Sequence, residues 1–109
     1  MQPYEMTVAQ LKNAIKNKEL SCVDAVNSYI DRINDKDALV NAYLTKCFDS
    51  ALDNAKISDE KISKGEELNY LQGVPYSLKD NICTEGIATT CSSKLLDGFK
   101  PTYSAHVYV

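Results

Sequence analysis

Gly73-Val74-Pro75-Tyr76-Ser77-Leu78-Lys79-Asp80-Asn81-Ile82 is the stretch on which the reading of this chain turns. Pro75 has no N–H to give to a ladder, so it belongs at the start or edge of a strand. Val74, Tyr76 and Leu78 alternate with Ser77 and Lys79, which predicts a short strand with one apolar face. Asp80-Asn81 then turns the chain. Lys79 therefore stands at a strand end, a place from which a lysine can move protons. A free lysine has a pKa of about 10.4, so fewer than about one in two thousand is neutral at pH 7. To act as a base it must be desolvated or lie near other positive charge. Otherwise it snorkels to solvent or pairs with Asp80.

Working toward the N-terminus, residues 58–69 are rich in charge and read as a fraying helix end and a solvated connection. Before them Phe48, Leu52 and Ala55 fall at helical spacing. Val40, Ala42 and Leu44 alternate with Asn41, Tyr43 and Thr45, which predicts a first strand, set off by the polar turn Asn34-Asp35-Lys36-Asp37. Two leading helices occupy about residues 7–34. Thr7-Val8-Ala9-Gln10 has the form of a capping box and precedes Leu11 and Ile15 on one face. Asn17-Lys18-Glu19 closes that helix. Ser21-Cys22-Val23-Asp24 caps the next, whose Val23, Val26, Ile30 and Ile33 form a second stripe. Such short amphipathic helices need a partner surface to be stable.

Toward the C-terminus, Ile82 to Thr90 is β-branched and broken by Gly86, which fits extended or loop structure. Ser92 or Ser93 is placed to cap a short turn containing Leu95 and Leu96, and Ser104 to cap a last helix. No Gly/Ser-rich loop of the kind that carries a serine nucleophile occurs, and the chain reads as the front portion of a longer enzyme.

Composition narrows the class. The chain has 109 residues, a net charge of −3, 44% hydrophobic and 25% charged residues. That is an ordinary soluble globular balance within the size of one domain. The scattered lysines argue against a phosphate-gripping surface. No apolar run approaches a membrane span, and Met1-Gln2-Pro3-Tyr4-Glu5 lacks signal-peptide character, so the expected compartment is the cytoplasm. There Cys22, Cys47, Cys83 and Cys91 stay reduced and pack as small apolar residues. Without a C-x-x-C pair, and with His106 as the single histidine, no zinc site is expected. Cys91, Ser92 and Ser93 offer nucleophile-type atoms, but a Cys91–His106 pair would have to be brought together by the fold, and Ser93-Lys94 is not an S-x-x-K motif.

The block Gly73 to Ile82 resembles the lysine-bearing segment of the amidase signature family, whose usual form is Gly-(Val/Ile)-Pro, three small or apolar residues, then Lys-Asp-Asn. The continuation Gly86-Ile87-Ala88-Thr89-Thr90-Cys91-Ser92-Ser93-Lys94-Leu95-Leu96 is most similar to the branch that forms the A subunits of aspartyl/glutamyl-tRNA amidotransferases. Residues 7–33 resemble the leading helices, and Val40 to Thr45 the first strand. The resemblance implies an α/β/α sandwich around a mixed sheet. This chain would supply the leading helices and, over about 40–109, the start of the α/β core of one incomplete domain. It implies a serine nucleophile, a second serine on a cis peptide bond, and a lysine that accepts the proton through that serine; Lys79 falls on the lysine. Both serines would lie downstream, and Ser77, Ser92 and Ser93 do not match their positions. Glutamine is the implied amide donor. The B and C partner subunits, a mischarged tRNA, and ATP with magnesium used on one of those partners complete the implied reaction, with no cofactor on this chain. Alternatives are a small-amide hydrolase of the same family and a non-catalytic interaction module. The ending Tyr103-Ser104-Ala105-His106-Val107-Tyr108-Val109 departs from the family's usual Tyr-Asp-Ala-Thr-Val-Val. Alone, the chain is expected to expose apolar edges and to turn over no amide.

Overall fold

The computed structural model describes residues 1–108. Its elements are a 3-10 turn at Pro3–Glu5, α1 at Val8–Lys16, α2 at Cys22–Val40, α3 at Phe48–Ser63, and a second 3-10 turn at Lys94–Leu96. These residues form two compact units: 1–42 with 47–75, and 43–46 with the segment from Tyr76 onward.

The first unit follows from its caps and stripes. Thr7 Oγ1 accepts the Gln10 N–H at 3.2 Å, and Gln10 Oε1 accepts the Thr7 N–H at 2.9 Å. These satisfy orphan donors at the start of α1. The helix ends where Lys18 turns left-handed (φ 59°) and Glu19 N–H reaches back to the Ala14 carbonyl at 3.0 Å. Ser21 and Asp24 form the same reciprocal pair at the start of α2. There the N–H groups of Cys22 and Val23 also donate to the two carboxylate oxygens of Asp59 on α3, at 2.8 and 3.1 Å. A carboxylate at a helix N-terminus meets both its unpaired donors and its positive dipole end, so Asp59 fixes α3 against α2. Leu11, Ile15, Cys22, Ala25, Val26 and Ala55 form the buried core, with Leu52, Ile62, Leu68 and Val74 packed around it.

Two details tie the Gly-Val-Pro segment to this core. The Cys22 side chain is fully buried, and burial first, then the neighbouring Asp59 carboxylate, pushes its thiol up to about 12. It stays protonated and packs as a small apolar group. Gly73 lies against it with φ +87°, and a Cβ there would stand 2.9 Å from Cys22 Sγ. Glycine alone satisfies both the left-handed backbone and the close approach.

Several expectations are corrected. α2 runs on to Val40 rather than ending near Asn34. The run Asn34 to Asp37 holds no Gly or Pro to stop a helix. The stop comes at Asn41, left-handed at φ 54°, where the Asp37 carboxylate accepts the Ala42 N–H at 2.7 Å. Residues 40–45 therefore form no strand, and Val40 and Leu44 stay exposed. Residues 74–79 also lack strand pairing. Val74 is half-buried on the core, but Tyr76 and Leu78 are exposed. Alternation supplies an apolar face, whereas a strand also needs a neighbouring backbone to bond to. Among the described residues there is no sheet, and the single β-bridge is Thr84 with Ile87. No helix starts at Ser104, because its hydroxyl accepts the Glu85 N–H at 3.0 Å instead of capping a turn of its own.

The second unit is held by individual bonds. Gly86 N–H donates to Pro101, Thr89 N–H to Phe99 and Ala105 N–H to Cys83, at 3.0, 3.1 and 2.7 Å. Thr84 and Thr89 are buried with their hydroxyls turned back onto the carbonyls of Ile82 and Ile87. No described helix is long and apolar enough to cross a membrane.

Candidate active site

Lys79 ends the extended run that leaves Pro75, and its side chain is exposed. The chain reverses immediately after it, with the Lys79 carbonyl accepting the Ile82 N–H at 3.1 Å. The amine therefore stands at a fixed corner of the backbone, open to whatever is brought opposite it.

Asp80 does not pair with Lys79. Its carboxylate turns to Thr90: Oδ1 accepts the Thr90 N–H at 2.8 Å, and Oδ2 accepts the Thr90 hydroxyl. The Asp80 carbonyl accepts the Cys91 N–H at 2.9 Å. Cys91 and Ser92 are both left-handed, at φ 51° and 59°. Two consecutive non-glycine residues in this region are unfavourable on their own. Here the twist turns successive N–H groups of the loop toward Asp80, as in an anion-holding nest. The hydroxyl and N–H of Thr90 hold the Asp80 carboxyl below its ordinary value. The Ser92 N–H adds to this, and the Lys79 charge contributes least.

The other candidate groups are not brought together. Cys91 and His106 are both exposed, and no hydrogen bond joins them. Ser77 is exposed, and among the described residues no hydroxyl or thiol hydrogen-bonds the Lys79 amine. Cys83 meets the Tyr103 hydroxyl at 3.9 Å, not a base. A shallow depression of about 210 Å³ beside the loop is lined by Thr90, Ser92, Ser93, Lys94 and Asp97. A wider one of about 480 Å³ lies on the helical unit between Tyr4, Asp24, Asp31 and Arg32, away from Lys79 in sequence and in a different unit. Among the described residues no three His, Cys, Asp or Glu side chains gather to hold a metal. Sequence reasoning found Lys79 and missed the Asp80–Thr90 tie. Its signal was present as a carboxylate in one block and a hydroxyl in the next, but their pairing is a property of the turn between them.

The model of the family described as Amidase matches residues 24–108. The chain is 49% identical over 107 residues to the second A subunit of the Glutamyl-tRNA(Gln) amidotransferase of Clostridium acetobutylicum, covering 98% of this chain and 22% of that protein. It is 43% identical to the A subunit of the Glutamyl-tRNA(Gln) amidotransferase of Alkaliphilus metalliredigens, with the same coverage, 98% and 22%. Among solved structures, it superposes on a chain from work on a vestigial protein complex and the evolutionary origins of an s-triazine catabolic enzyme. The TM-score is 0.86 at 26% identity, covering 92% of this chain and 22% of that one. The chain thus spans about a fifth of the length of the relatives it matches.

Proposed function

The chain belongs to the Amidase family, and on that premise we propose that it is the lysine-bearing front part of the glutamine-hydrolysing A subunit of a tRNA-dependent amidotransferase. The observation that carries this reading is the 49% identity to one such protein along 98% of the chain, through a segment that presents Lys79 at a fixed backbone corner. Lys79 serves as the proton acceptor. A serine of the longer protein attacks the glutamine amide carbon, and its proton passes through a second serine to the neutral Lys79 amine. The C–N bond breaks as the proton returns to the leaving nitrogen, and ammonia departs, leaving a glutamyl ester that water hydrolyses. Both serines belong to the downstream part of the fold. The run 74–78 becomes a strand of a mixed sheet completed by that part, all within one domain. Ammonia then passes to the B and C partner subunits, where ATP with magnesium activates a mischarged tRNA in the cytoplasm. This chain holds no cofactor; its own residues position the base.

The test joins residues 1–108 to the part of the Clostridium acetobutylicum protein downstream of the matched segment, with its partner subunits, and measures ammonia release. The expected result is glutamine-dependent ammonia, lost about a thousandfold in Lys79→Ala. Activity confined to small amides would point to a hydrolase instead. Full glutamine turnover by Lys79→Ala would overturn the reading.

A further inference from the structure

We infer that Asp80 is a positioning residue, which acts with Thr90 to fix the backbone corner from which Lys79 works. The inference rests on the proposed role of Lys79 as proton acceptor. The geometry has three parts. First, Asp80 is the residue after Lys79, so any anchor on it limits the freedom of the Lys79 backbone directly. Second, the anchor has several points: two carboxylate oxygens on Thr90, and the Asp80 carbonyl on the Cys91 N–H. Third, the loop that supplies the donors adopts left-handed backbone at Cys91 and Ser92, and Ser93 N–H closes it on the Thr90 carbonyl at 2.8 Å. A strained loop persists where its surroundings over-determine it, and here the surroundings are the Asp80 carboxylate and carbonyl.

The arrangement answers a chemical difficulty. A carboxylate beside a lysine favours its charged form, and a base must be neutral to accept a proton. Directing the Asp80 oxygens onto Thr90 leaves them engaged by neutral donors and turned to the loop. The aspartate can then hold the corner without forming an ion pair with the amine. Misplacing a reacting group by about 1 Å costs roughly a hundredfold in rate, so the effect of losing this anchor is expected in turnover rather than in substrate affinity.

The test has two arms. In the joined protein, Asp80→Ala and Thr90→Val each lower kcat roughly ten- to a hundredfold, with KM within about twofold. Thr90→Ser, which keeps the hydroxyl, restores turnover. The Asp80→Ala/Thr90→Val pair is no worse than either change alone, because both remove one unit. Asp80→Ala added to Lys79→Ala costs nothing further. A residue that only supports folding would lower activity in the Lys79→Ala background as well. In the 109-residue chain itself, amide exchange at Thr90, Cys91 and Ser92 speeds up together in Asp80→Ala but not in Lys79→Ala. Full kcat in Asp80→Ala, a further loss on top of Lys79→Ala, or unchanged exchange at residues 90–92 would each overturn the inference. Survival of turnover in Lys79→Ala would instead overturn the reading of Lys79.

Discussion

The helical unit and the lysine-bearing unit are built by different means. The first holds every residue of the buried apolar core, from Leu11 to Ala55, and closes its helix ends with reciprocal side-chain caps. Among the described residues, the second buries only Thr84, Thr89 and Pro101, and leaves Tyr76, Leu95, Tyr103 and Val107 in solvent. One is stabilised by its own apolar contacts. The other is shaped by single hydrogen bonds and presents apolar surface with nothing on it. The difference teaches where chemistry is kept: the self-sufficient unit carries no candidate base, and the unit that lacks a core carries Lys79. Local stability follows buried apolar contact, so the two should respond to different perturbations.

The largest expected effect separates them outright. Lys79→Ala should lower glutamine turnover in the joined protein by roughly a thousandfold, while the melting curve of the 109-residue chain stays where it is. A shift in that curve would mean that Lys79 supports the fold and the comparison is drawn in the wrong place. Next, Leu11→Ala should cost about 2–5 kcal/mol of stability through the cavity it leaves. Urea unfolding monitored by helical circular dichroism measures this. Amide exchange at residues 90–92 should be untouched if the units are stabilised independently.

Gly73→Ala tests the seam between the two kinds of sequence. It places a Cβ 2.9 Å from Cys22 Sγ at a left-handed backbone position. Overpacking and strain together predict a loss of about 1–3 kcal/mol, read by the same unfolding curve. The smallest effect is a pH dependence. The Cys22 thiol is raised from 9.0 to about 12 in the folded chain. The unfolded thiol therefore ionises first as pH rises. The stability that this protonated thiol contributes is complete below about pH 9 and is lost between about pH 9 and 12. Cys22→Ala should flatten that part of the curve relative to the parent chain. Alkylation below pH 9 should mark the exposed Cys47 and Cys91 and spare Cys22.

The same division decides how much was legible in the sequence. The Thr7–Gln10 and Ser21–Asp24 caps, and the stripe of Leu11 and Ile15, are local, and they appear as read. The start of α3 at Phe48 is local too. The end of α2 was misjudged because polarity at Asn34 to Asp37 resembles a turn, whereas a helix stops where the backbone changes hand, at Asn41. The expected strands at Val40 to Thr45 and Val74 to Leu78 rest on alternation, which one segment carries but cannot satisfy without a partner backbone. At the site, Lys79 was legible from its block. The role of Asp80 was not, because adjacency to Lys79 suggests an ion pair, and only the turn through residues 81–89 shows that the carboxylate meets Thr90.

The central claim is that Lys79 accepts the proton in amide cleavage. Chemical rescue tests it most directly. Glutamine cleavage by Lys79→Ala in the joined protein is measured against increasing concentrations of small primary amines of graded basicity. The account predicts a slow variant whose rate rises with amine concentration and with amine basicity, while the parent protein does not respond. A Lys79→Ala variant that cleaves glutamine at the parent rate without added amine would contradict it.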